Sequence, residues 1–188
     1  MILRLLFLIG LVPAIVLAQG SGTETPPPAL DGYCPVCIVK SDKLVKGSAA
    51  FSSDYDGKKY LFPSATEKKV FDENPAAFAP AMGGNCVVCK VEMKKDVPGK
   101  AEIHLVHKGR LYLFPAEAQL KTFKEKAEKY ADADIAMNGF CAVCKVDMGK
   151  EVKGKPEFAF DYRGARYLFP AKEQLDKFRQ NPKKYAQK

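Results

Sequence analysis

The residues of this chain best suited to chemistry are six cysteines in three C-x-x-C pairs: Cys34 and Cys37, Cys86 and Cys89, Cys141 and Cys144. Thiols at this spacing hold a metal ion, close a disulfide, or exchange disulfides with a substrate. A structural zinc site wants four ligands, usually cysteine and histidine. The only histidines are His104 and His107, too few to complete three sites, so zinc requires two pairs to pool their cysteines. Cu(I) accepts fewer and softer donors, thiolate and thioether among them. Beyond Met1, the methionines Met82, Met93, Met137 and Met148 all flank cysteines, as Met-x3-Cys-x2-Cys-x3-Met around the second and third pairs. Leu30 and Ser41 hold those places around the first. Met93 falls in phase with Val91 and Met148 with Val146, so both core filling and soft-metal ligation remain open for the methionines.

A disulfide within so short a loop gains less chain entropy than one closing a long loop, and it tends to be redox-labile. A stapled scaffold and a thiol–disulfide enzyme therefore stay in view. Against the enzyme, a reactive cysteine sits at a helix N-terminus, whereas the apolar residues after these pairs alternate as in a strand. Covalent haem needs a histidine after the pair, and the chain has Ile38, Lys90 and Lys145 there. No Ser-His-Asp set, phosphate loop or carboxylate-rich metal motif occurs. A non-enzymatic protein is expected.

The pairs are positioned by an internal repeat. In every copy a glycine (Gly57, Gly109, Gly164) lies 23 residues after the first cysteine, and a Tyr-Leu-Phe-Pro run places its phenylalanine 28 after it. Fixed spacing of this kind marks tandem units. Gly47, Gly99 and Gly154 share one offset and predict a turn. Phe51, Ser53 and Tyr55, then Ile103, Leu105 and His107, then Phe158, Phe160 and Tyr162, alternate as strands. His107 thus reads as a half-buried strand residue, with His104 on the opposite face. Asp56-Gly57, Lys108-Gly109 and Arg163-Gly164 predict two-residue hairpin turns. The prolines Pro63, Pro115 and Pro170 suit the start of a helix, and Ser64 with Glu67 suggests a capping box. Leu120, Phe123, Ala127 and Tyr130 form one helical stripe, while Asn74-Pro75 and Asn181-Pro182 should end or kink theirs. The expected fold class is α+β: three small tandem units, each a cysteine knuckle, a β-hairpin and a C-terminal helix. About 50 residues bury too little apolar surface to be comfortable without a staple, a metal or a neighbour.

This arrangement resembles the YHS domain, one of the TRASH-like metal-binding modules. The likeness rests on Cys34-Pro35-Val36-Cys37, Tyr60-Leu61-Phe62, Phe71 and Asn74-Pro75-Ala76-Ala77-Phe78. It rests equally on Cys141 and Cys144, Tyr167-Leu168-Phe169, Phe178 and Asn181-Pro182-Lys183-Lys184-Tyr185. The middle unit fits with Lys126-Ala127 in place of Asn-Pro. Residues 31–186 are covered. The resemblance implies metal binding at Cys34, Cys37, Cys86, Cys89, Cys141 and Cys144. The family's second cysteine pair falls on Pro63 and Glu67, Pro115 and Gln119, and Pro170 and Gln174, which leaves each unit half of the family's ligand set.

Residues 1–18 have the form of a secretory signal peptide: Arg4, an apolar run from Leu5 to Leu17, and Val16-Leu17-Ala18 before Gln19. Residues 19–31, rich in Gly, Ser, Thr and Pro, read as a disordered leader. The repeats then span 32–82, 83–137 and 138–188. A secreted or periplasmic location follows, with no transmembrane segment in the mature chain, in a compartment that favours disulfides. The formal net charge of +8 is spread along the chain as a solvated surface. It leaves room for an anionic envelope component as partner and gives no case for nucleic acid. The reading is an exported protein that binds a soft metal, Cu(I) before Zn(II), through its cysteine pairs. The alternatives are a disulfide-stapled scaffold without metal, docking a protein or envelope partner, and a thiol–disulfide oxidoreductase.

Overall fold

The computed structural model describes residues 26–186. The signal peptide and residues 19–25 of the leader lie outside the described residues. The fold is α+β, built from three units with one order of elements. The first unit has a tight turn at Ala29–Gly32, helix α1 (Pro35–Ser41), strands β1 (Ser48–Tyr55) and β2 (Lys58–Phe62), and helices α2 (Ala65–Glu73) and α3 (Pro75–Phe78). The second has the turn Ala81–Gly84, α4 (Val87–Met93), β3 (Lys100–His107), β4 (Arg110–Phe114), α5 (Glu117–Glu125) and α6 (Ala127–Tyr130). The third has the turn Ala136–Gly139, α7 (Ala142–Met148), β5 (Lys155–Tyr162), β6 (Ala165–Phe169), α8 (Lys172–Gln180) and α9 (Pro182–Tyr185).

Each strand pair is a separate antiparallel hairpin. The expected two-residue turns are present, and both residues of each are left-handed, as at Asp56 (φ 47) and Gly57 (φ 72). That backbone matches the twist of the flanking strands. Beyond the turn the register breaks: β1 advances from Ser52 to Ser48 while β2 advances only from Leu61 to Phe62, and the other two hairpins repeat this bulge. The bulge explains Gly47, Gly99 and Gly154, for which the sequence suggested a turn. None has positive φ. A Cβ on Gly47 would overlap the backbone of Leu61, and one on Gly99 or Gly154 would overlap Leu113 or Leu168. Close backbone approach, not turning, requires the glycine.

Four other expectations are corrected. The residues after each cysteine pair form a helix, not a strand. The tight turn at Ala29–Gly32, assigned to the leader, belongs to the first unit, with Leu30 buried in its core; the later units likewise begin at Ala81 and Ala136. The prolines precede their helices by two residues. Ser64 caps α2 instead, its Oγ accepting the Thr66 N–H at 3.0 Å and donating to Glu67 Oε2 at 2.6 Å. The stripe from Leu120 to Tyr130 is divided, because α5 ends at Glu125 and Lys126 (φ −137, ψ 44) turns the chain into α6 without a proline.

At the centre of each unit is a fully buried phenylalanine, Phe71, Phe123 or Phe178. Its ring packs against the tyrosine and phenylalanine of the returning strand, as in Phe123 with Tyr112 (4.8 Å) and Phe114 (5.5 Å). The units also share apolar surface. The first core takes in Ala101, Leu111 and Leu113 from the second unit and Ala159 and Leu168 from the third. A polar seam joins them. The Arg166 N–H donates to the Asp134 carbonyl at 2.9 Å, and the Asp134 carboxylate forms a two-pronged pair with Arg110 of its own unit. Arg166 Nη1 donates to the Ala76 carbonyl at 2.8 Å, and Tyr55 Oη accepts the Asp161 N–H at 2.8 Å. Neighbours of this kind supply the burial that a single small unit lacks.

Candidate metal centre

The first cysteine of each pair is the N-cap of a helix. Cys34, Cys86 and Cys141 have extended backbone, and each Sγ accepts the N–H of the second cysteine, at 3.4, 3.2 and 3.2 Å. The sulfur does the work of a Ser or Asp cap, satisfying one of the unpartnered amides of the first turn. The second cysteine, three residues on, lies in that same turn, so the two thiols are neighbours. This overturns the strand argument made against redox chemistry. Burial works the other way on the first thiols. Cys34, Cys86 and Cys141 are each pushed up to about 12, chiefly by loss of water, with the adjacent thiol adding and the cap N–H opposing. These are protonated thiols at neutral pH, unlike the activated thiolate of an exchange enzyme.

The pairs stay apart, each buried in or beside the core of its own unit. Among the described residues, no group of three or more His, Cys, Asp or Glu side chains converges as a metal site would require. Zinc shared between pooled pairs is therefore not built here. Both nitrogens of His104 are engaged, Nε2 at 2.8 Å from Asp42 Oδ1 and Nδ1 at 2.7 Å from the Ala101 carbonyl. His107 lies half-buried on β3, edge-on to Phe123 (5.6 Å). Two helices downstream of the cysteine pairs carry buried amide oxygens without a hydrogen-bond partner, Gln119 Oε1 and Gln174 Oε1, and Glu67 at the matching place is bonded to Ser64. An amide oxygen is a hard donor and does not complete a thiolate zinc site. Two adjacent sulfurs fit a soft ion that tolerates low coordination.

The four methionines separate into two kinds. Met82 and Met137 sit in the tight turns in left-handed backbone and pack against the cores, as Leu30 does. Met93 and Met148 are 50% and 54% exposed. Their period-two phase with Val91 and Val146 loses its meaning on a helix. The relevant neighbour is four residues back, Cys89 or Cys144.

The cysteine helix is clamped near its C-terminal end. Glu92 of α4 accepts the Tyr130 hydroxyl at 2.6 Å and the Lys129 ammonium at 2.7 Å; Asp147 of α7 accepts Tyr185 at 3.2 Å and Lys184 at 2.8 Å. Lys40 occupies this place in α1 and lies over the Phe78 ring instead. Spacing alone did not reveal this clamp, although an acid three residues after the second cysteine in two of three units was its available signal.

The YHS domain family model matches residues 146–188, covering the end of α7, the third hairpin, α8 and α9. The match begins after Cys144 and points to a metal-binding module in the third unit. No solved structure matches the chain. The kinship of the other two units to the third lies in their shared element order, hairpin register and cysteine geometry. Among the described residues, no helix is long and apolar enough to cross a membrane.

Proposed function

We propose that this chain is an exported, non-enzymatic protein of three degenerate YHS-like units that binds a soft metal ion, Cu(I) in preference to Zn(II), through its cysteine pairs. One observation carries the reading: each pair sets two sulfurs on a single helical turn, and among the described residues no group of three or more His, Cys, Asp or Glu side chains converges there. Bound there, Cu(I) would be held by Cys34 and Cys37, Cys86 and Cys89, or Cys141 and Cys144. The protein supplies the fixed spacing of two buried or half-buried sulfurs on one helical turn. Export rests on the form of residues 1–18 and places the pairs where a metal ion competes with oxidation.

The test is Cu(I) titration of the reduced mature protein under anaerobic conditions, with Cys86→Ser/Cys89→Ser as the variant. Loss of one equivalent of copper, with the fold kept, supports the proposal. Lost stability with unchanged copper content refutes it and favours a stapled scaffold. Native mass spectrometry of protein purified without added metal gives a second check. A metal-free mass lighter by six hydrogens, one disulfide per pair, sinks metal binding in the resting state.

A further inference from the structure

The three cysteine pairs are not equivalent, and the difference follows the residue one turn beyond the second cysteine. On α4 and α7 that residue is Met93 or Met148, and on α1 it is Ser41. Residues four apart lie above one another on a helix, and a methionine side chain leans back towards the N-terminus over the preceding turn. Met93 and Met148 thus share a helix face with Cys89 and Cys144, one turn on. The exposures agree. Cys89 and Cys144 are 1% and 2% exposed, while Cys37, with only a serine at that place, is partly open.

Packing does not explain these methionines, since each leaves half its surface in water. Met82 and Met137, by contrast, belong to the cores. An exposed thioether beside two buried thiols is a third soft donor within reach of the same ion, and three sulfurs suit Cu(I). We infer that the second and third units each form a three-sulfur Cu(I) site, Cys86–Cys89–Met93 and Cys141–Cys144–Met148, and that the first unit forms a weaker two-sulfur site open to solvent. The inference rests on the metal-binding reading above and assigns within it two tight sites and one loose one.

The experiment is competition of the reduced, anaerobic mature protein against a chromophoric Cu(I) chelator, with copper K-edge absorption counting the sulfur neighbours. The wild type should retain two equivalents against a chelator that strips the third. Met93→Leu/Met148→Leu keeps the side-chain volume and the fold. It should weaken those two sites by about tenfold or more, since losing even an outer-shell group costs that much at metal sites. Its sulfur count at two equivalents should fall from three to two. The converse variant, Ser41→Met, should add a third tight site. Unchanged affinities and sulfur count in the leucine variant overturn the assignment while leaving cysteine binding intact. Three equal sites in the wild type overturn it as well. Failure of the wild type to bind Cu(I) overturns the underlying reading, and the inference with it.

Discussion

Acidification should stabilise this protein over a window where many proteins are indifferent, and the cause is Asp161. Its side chain is only 12% exposed, in the seam between units. Facing it are Arg166, with Nη1 3.9 Å from Oδ1, Tyr55, with its hydroxyl 3.4 Å from Oδ2, and more distantly Arg110, Asp134 and Asp56. Burial dominates and raises Asp161 to about 6, the two guanidiniums opposing and the two other carboxylates adding. The folded state therefore holds a proton more tightly than the unfolded chain does. For a raised acid, the stabilising contribution is full below the unfolded value near 4 and is lost as pH rises through about 6. Between pH 7.5 and 5 the gain is about 1.4 kcal/mol by linkage. For a domain of this size that is a rise of roughly 3–5 °C in Tm. Asp72, Glu92, Glu128 and Asp147 are shifted downward, so their destabilising effects begin closer to pH 4.5. The assay is thermal unfolding of reduced, metal-free protein from pH 5 to 7.5, compared with Asp161→Asn. The amide imitates the protonated carboxyl and should remove the slope due to this residue. An Asp161→Asn protein with the wild-type slope would refute the argument.

Further predictions concern the repeat architecture. Gly99→Ala forces a methyl group into the Leu113 backbone and should cost about 2–3 kcal/mol in urea unfolding. Gly149→Ala meets open space at φ 66, so only the left-handed backbone opposes it, at about 1 kcal/mol. Arg163 stands at a left-handed turn position (φ 53) that favours asparagine. Arg163→Asn should therefore raise the urea midpoint, because the contact to Asp56 Oδ1 comes from the Arg163 backbone N–H and is kept. Phe123→Ala empties the centre of the second core and should cost about 3–5 kcal/mol. Calorimetry of that variant should still give one transition, since the units share the first core and the polar seam.

What could be read from the sequence was what depends on near neighbours. The hairpins were legible because their alternation runs over several residues and ends on a glycine in the second turn position. The cysteine helices were not. Each has seven residues, too few for a period of 3.6 to separate from a period of two, and a cysteine is not among the usual caps. That single misreading also hid that Met93 lies one helical turn beyond Cys89. Gly47 was found by its spacing, but its reason lies in Leu61, on the other strand beyond the bulge. Arg110, Asp134, Asp161 and Arg166 looked like surface charge, because burial by a neighbouring unit leaves no mark on local sequence.

The missing half of the metal-binding motif has a consequence that ties fold to site. Where the YHS pattern that the sequence resembles would carry a second ligand pair, this chain carries prolines at the entry to α2, α5 and α8 and Glu67, Gln119 or Gln174 just beyond. A second pair of thiols on those helices would have let a metal ion bridge the cysteine helix to its neighbour. Here that bridge is made by other means: the aromatic core around Phe71, Phe123 and Phe178, and in two units the acid–tyrosine clamp of Glu92 with Tyr130 and Asp147 with Tyr185. The sulfur pair is left on one helix alone, and the unit holds together without a metal bridge. A four-cysteine zinc site is part of the architecture and is lost only with it.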